Sequence, residues 1–125
     1  MLYTRGTDVA ALKVSAVEGV PTIGGDLLVK PVMEGDQMTA LEIFYGKGIA
    51  TGLHKHTHES VVYVIKGRLR CVVADTEVEV GPGDTCRHPA NVLHAVAALE
   101  DALVLEIKSP RPTLAAFFAT KGKSA

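Results

Sequence analysis

The sequence predicts an all-β sandwich or barrel, and three observations carry that expectation. Short runs rich in β-branched and aromatic residues recur along the chain, as in Val61-Val62-Tyr63-Val64-Ile65. Several runs alternate in polarity with the two-residue period of a half-buried strand. Turn signals built on glycine and proline punctuate them. At 125 residues, 47% of them hydrophobic, the chain suits one domain, 1–125, with a barrel core of about 26–109 and a tail of 110–125.

The elements follow in order. Val9 to Val14 reads as a short helix or an edge strand, ahead of the breakers Gly19, Pro21, Gly24 and Gly25. Asp26 to Lys30 reads as a short strand ended by Pro31, which removes a ladder donor. Gly35-Asp36-Gln37 is a turn, and Met38 to Tyr45 sets Thr39, Leu41, Ile43 and Tyr45 against Ala40, Glu42 and Phe44. The stretch Gly52 to Gly67 is expected to be extended, with Arg68 to Ala74 as the second arm of a hairpin. Glu77 to Val80, Thr85 to His88 and His94 to Ala98 read as further strands, separated by Gly81-Pro82-Gly83-Asp84 and Pro89-Ala90-Asn91. Ala102 to Lys108 places Leu103, Leu105 and Ile107 on one face before Pro110 and Pro112 stop it. Thr113 to Thr120 has good helix formers around a compact apolar patch and reads as a short helix, with Lys121 to Ala125 fraying.

Charge and composition narrow the function classes. The formal charge is −1, from 13 basic and 14 acidic residues without a basic block, which argues against nucleic acid and a membrane surface as partners. No apolar run approaches the ~18 residues of a membrane span, and the N-terminus lacks a signal-peptide core. Cys71 and Cys86 form no C-x-x-C pair and suit reduced, buried thiols, so a cytoplasmic location is expected.

The chemistry concentrates in Gly52 to Gly67, where His54, His56 and His58 occupy every second position. On a strand, alternate side chains share a face, so His54 and His56 can converge; on a helix the same spacing splays them by about 200°. His94, at the start of a later strand after a proline turn, can supply a third imidazole from a neighbouring strand. Such a trio with open positions holds one divalent transition metal: iron, zinc, manganese, nickel or copper. The competing reading is of exposed or hydrogen-bonded structural histidines; it weighs on His58, because the chain can bend after His56, and on His88, directly before Pro89. His88 can instead face the cavity as an extra ligand or a proton-transfer group.

Residues 48–67 and 83–98 resemble the two motifs of the cupin family, G-x5-H-x-H-x3-4-E-x6-G and G-x5-P-x-G-x2-H-x3-N. Gly48, His54, His56 and Gly67 match the first; Gly83, Pro89 and His94 match the second. The resemblance implies a double-stranded β-helix, or jelly-roll, barrel, commonly a homodimer, with a metal held by His54, His56 and His94. The ending Leu105 to Pro112 is similar to the tail of compact cupins, including ones that act on unsaturated uronates.

Two departures stand out. Ser60 occupies the usual position of the ligating glutamate, and a hydroxyl is a poor substitute for a carboxylate. Glu59 is adjacent but should point the other way on a regular strand, so water, His58, Glu59 or His88 are the replacements open to the site. Asn91 and Ala98 stand where the second motif has glycine and asparagine. Three neutral ligands leave a dipositive charge on the metal, which favours a small anionic or oxygen-rich substrate.

The resulting expectation is an enzyme of isomerase, lyase, cyclase or dioxygenase type on such a metabolite, with His58 or His88 moving protons. The alternatives are a non-catalytic small-ligand or sensor barrel, which Ser60 favours, and an assembly module using Leu114 to Ala119. Among other polar groups, Arg70 and Arg87 read as solvated, Tyr63 as bracing the sheet, Tyr45 as a cavity group if its face is inward, and Asp84 as a turn cap.

Overall fold

The computed structural model describes residues 2–112 and Lys123–Ser124. A 3-10 turn at Gly6–Asp8 precedes strands β1 (Leu12–Val14), β2 (Ala16–Val17), β3 (Val20–Pro21), β4 (Leu27–Glu34), β5 (Thr39–Tyr45) and β6 (Glu59–Lys66). Then come β7 (Leu69–Val73), β8 (Thr76–Val80), β9 (Thr85–His88), β10 (His94–Ala98), β11 (Ala102–Ser109) and β12 (Lys123–Ser124). They form a seven-stranded sheet in the order β12-β1-β4-β5-β11-β6-β9, a three-stranded sheet β10-β7-β8, and the small β2-β3 ribbon. The inward faces of both larger sheets share one core, from Val29, Leu41, Ile43, Val62, Val64 and Val104 on one side to Leu69, Cys71, Val80 and Val96 on the other. Each such side chain contributes roughly 1.5–3 kcal/mol on burial. The antiparallel two-sheet arrangement is consistent with a jelly roll. No described helix is long and apolar enough to cross a membrane.

The alternation expected for Met38 to Tyr45 is present: Thr39, Leu41, Ile43 and Tyr45 are buried and the residues between them half-buried. Elsewhere the structure differs from expectation. Of the two readings for Val9 to Val14, the strand is realised, because Leu12–Val14 pair with Leu27–Val29. Strand β4 passes through Pro31 rather than ending there; a register shift between Pro31 and Met33 absorbs the missing donor, and Pro31 lies beyond the residues paired with β1.

β6 and β7 are not the arms of a hairpin. β6 lies between β11 and β9, whereas β7 pairs with β10 and β8 in the other sheet. The switch occurs at Gly67, whose φ is +84° and where a Cβ would stand 2.2 Å from the Asp101 carbonyl oxygen. Only glycine fits both demands. On β11 the alternation is as read: Leu103, Leu105 and Ile107 share the half-buried outer face, while Ala102, Val104, Glu106 and Lys108 are buried. Lys123–Ser124 do not fray but pair with Lys13 and Val14. The helix expected over Thr113 to Thr120 lies outside the described residues.

Candidate metal centre

The histidine segment is not part of a regular strand. β6 begins only at Glu59, and the preceding residues are stapled beside β10 instead. His54 and His94 exchange two backbone hydrogen bonds, His54 N–H to His94 O at 3.0 Å and His94 N–H to His54 O at 2.8 Å. Thr51 Oγ1 accepts from the Val96 N–H at 2.9 Å, and the Asn91 N–H donates to the His56 carbonyl at 2.7 Å. Asn91 has φ 61°, a conformation that asparagine tolerates better than most residues, which accounts for its standing at a glycine position. The inward–outward alternation nonetheless persists: His54, His56, His58 and Ser60 are buried, Lys55, Thr57 and Glu59 exposed.

His54, His56 and His94 thereby converge, their ligating nitrogens all within 4.8 Å of one another. Each Nδ1 meets an oxygen: His54 the Gly52 carbonyl at 2.6 Å, His56 the Glu18 carboxylate at 2.9 Å, His94 the Val92 carbonyl at 3.0 Å. Those oxygens only accept, so Nδ1 carries the proton in all three rings and Nε2 presents the lone pair. Burial, reinforced by nearby His88, drives the His94 pKa down to about 3 and keeps its ring neutral, the form a metal requires. A buried trio of imidazoles, each with an oxygen at Nδ1, fits a divalent transition metal.

The other candidates fall in distinct places. Glu59 faces outward and pairs with Arg87 at 3.4 Å, so it does not replace the motif glutamate. Ser60 is fully buried, and its Oγ accepts from Lys108 Nζ at 3.2 Å. His58 is buried rather than exposed; its Nε2 lies 3.2 Å from the same Nζ, so it accepts from that ammonium. His88 is 3% exposed, stacks on His94 with ring centroids 4.0 Å apart, and lines the cavity of the trio. Its Nε2 is buried without a hydrogen-bond partner. Tyr45 also lines that cavity, its pKa raised by burial and by the charge of Glu106. Tyr63 faces outward, Arg70 is solvated beside Glu77 at 3.1 Å, and Asp84 caps its turn through the Gly81 N–H at 2.8 Å.

The two thiols diverge. The neighbouring Cys71 thiol and His88 lower the Cys86 pKa, while Cys86 and burial push Cys71 up. His88, two residues on from Cys86, shares its face of β9.

Sequence reasoning missed Glu18, Glu106 and Lys108. Glu18 belongs to an N-terminal stretch without a motif. Glu106 is 6% and Lys108 1% exposed, and Glu106 Oε2 pairs with Lys108 Nζ. The available signal was that both share the β11 face of Ala102 and Val104, opposite the larger apolar residues.

The family model described as "Cupin domain" matches residues 40–108, more than half of the chain. KdgF from Halomonas sp. is 27% identical, with a TM-score of 0.67 over 70% of this chain and 81% of that one. A RmlC-like cupin from Shewanella frigidimarina is 20% identical, with a TM-score of 0.75 over 88% of this chain and 91% of that one. A predicted oxalate decarboxylase from Thermotoga maritima is 16% identical, with a TM-score of 0.75 over 87% of this chain and 99% of that one. No curated protein matches the sequence.

Proposed function

The chain belongs to the cupin family, and from that premise we propose that it is a metal-dependent enzyme acting on a small acidic or oxygen-rich metabolite. The observation that carries the proposal is the buried trio of His54, His56 and His94, with all three Nδ1 atoms held by oxygens. A divalent metal there supplies a Lewis acid for a carbonyl, enolate or carboxylate oxygen. The protein's own residues do the rest. Val29, Ile43 and Val96 give the cavity apolar walls, and low-dielectric surroundings strengthen charge interactions there. His88 is the proton-transfer group: its buried Nε2 stands against His94 and needs a partner that a bound substrate provides. His58, committed to Lys108, has a positioning role instead. Isomerase, lyase, cyclase and dioxygenase chemistries are all compatible with this donor set.

The test is metal analysis of protein purified without a histidine tag. One equivalent of a transition metal is expected, with loading abolished in His54→Ala and in His94→Ala. Absence of metal, together with a melting temperature unmoved by added divalent ions, would refute the enzyme reading. It would favour a non-catalytic ligand-binding barrel, the reading supported by Ser60 giving its hydroxyl to Lys108 rather than a carboxylate to a metal.

We also propose a homodimer in the cytoplasm. Its support is the apolar outer face of the large sheet, where Val61, Tyr63 and Ile65 are 42%, 47% and 43% exposed beside the half-buried Leu105 and Ile107. Sedimentation of wild type and of a Val61→Glu, Tyr63→Glu variant tests it: a monomeric wild type would refute it.

A further inference from the structure

Lys108 is the largest fully buried side chain among the described residues, and burying an ammonium costs several kcal/mol unless every donor is met. Its Nζ is met three times, by Glu106 Oε2, by Ser60 Oγ at 3.2 Å and by His58 Nε2 at 3.2 Å. An ammonium has three donors, so Lys108 is spent on these contacts and is no nucleophile or substrate anchor. What it accomplishes is to hold a carboxylate inside the barrel.

That carboxylate lines the cavity of the trio, outside the group of ligand atoms that lie within 4.8 Å of one another. Glu106 lines the same cavity as His54, His56 and His94, and its charge is felt by His94, Tyr45 and Cys86. The strand register relates it directly to the missing ligand. β11 runs beside β6 with Lys108 opposite Ser60 and Glu106 opposite Val62, so all four side chains share the inward face. The serine at the motif's glutamate position thus binds the lysine, and a glutamate stands one strand over and two residues along.

We propose that Glu106 is the anionic donor that completes the three-histidine centre, in place of the motif glutamate, and that Lys108 positions it. This rests on the metal reading above. Ser60 is part of the device: a glutamate at 60 would compete for the same ammonium and the same metal.

The test is titration of metal-free protein with Co²⁺, following ligand-field absorption and measuring affinity by competition with a chelator. Glu106→Gln is expected to bind at least about tenfold more weakly, by analogy with the loss of groups that support a metal site. Ser60→Glu combined with Glu106→Gln should recover most of the affinity, because the carboxylate returns to β6. Lys108→Met should bind more weakly than wild type, since the carboxylate loses the cation that positions it. If Glu106→Gln alone does not fold, Glu106→Gln with Lys108→Met removes both charges and should show the same loss. Wild-type affinity and spectrum in the Glu106 variants, or unchanged affinity in Lys108→Met, would overturn the assignment while leaving the three-histidine site standing. Absence of Co²⁺ binding by the wild type would overturn both.

Discussion

Glu18→Ala should weaken metal binding while leaving the metal-free protein nearly as stable as the wild type. Glu18 sits in the turn between β2 and β3, at φ 52°, and its Oε1 is 2.9 Å from His56 Nδ1. Its side chain is 32% exposed, so the pair by itself is worth at most about 1 kcal/mol of folding stability. Both glutamate and alanine bear a Cβ, so the positive φ costs each alike and adds no difference. The effect on the metal is larger, because the carboxylate fixes the tautomer and orientation of a ligating ring. Loss of such a partner typically costs 10- to 100-fold in affinity, about 1.4–2.8 kcal/mol. The assay pairs a Zn²⁺ competition titration with thermal melts in chelator and in excess Zn²⁺. The variant is expected to melt close to the wild type in chelator and below it with Zn²⁺. Glu18→Gln keeps an acceptor oxygen and should recover part of the affinity. Wild-type affinity in Glu18→Ala would refute the argument, as would an equal loss of stability with and without metal, which would make Glu18 purely structural.

Lys108→Met should lower the stability of the metal-free protein by about 3–5 kcal/mol, because it removes the cation paired with the buried Glu106; changing Glu106→Leu as well should recover most of it, measured by urea denaturation. A single variant as stable as the wild type would show that Glu106 is not ionised there. Gly67→Ala, with a Cβ 2.2 Å from the Asp101 carbonyl at φ +84°, should cost more than 3 kcal/mol or prevent folding, and a folded variant with an unchanged melting temperature would contradict the register around that turn. The metal-free protein should lose stability as pH falls from 6.5 toward 3. In that window the unfolded chain takes up a proton on His94 that the folded chain refuses, so stability is fully present above pH 6.5 and lost on acidification, by at most about 5 kcal/mol from this group. Denaturation midpoints across that range, flat with pH, would exclude the buried neutral state of His94.

Much of the fold was legible because strand alternation is a local property. Thr39 to Tyr45 show their buried face through periodicity alone, and the turn at Gly81 to Asp84 is written in its residues. The trio was legible for a related reason: H-x-H spacing and a later histidine after a proline turn constrain which imidazoles can meet. The hairpin proposed across Gly67 was not, because adjacent strands in sequence need not be neighbours in space. A left-handed glycine packed on Asp101 sends the chain into the other sheet instead.

Polarity alone does not reveal the inner face of β11, where the residues with the greater apolar bulk, Leu103, Leu105 and Ile107, are on the outer face and a charged pair is inside. Hydrophobic pattern assumes that charges stay in water. That assumption fails where a partner from another strand satisfies them, and Lys108 is satisfied by Glu106 from its own strand and by Ser60 and His58 from the β6 side.

The sequence by itself determined the all-β class, the family motifs and the three histidines, since each depends on spacing along the chain. Only the tertiary structure decided what surrounds them: Glu18 behind His56, His88 stacked on His94, and Glu106 held by Lys108 beside the serine that stands for a glutamate. These contacts join residues as many as 50 positions apart, as from His58 to Lys108, and are set by strand register, which no local pattern encodes.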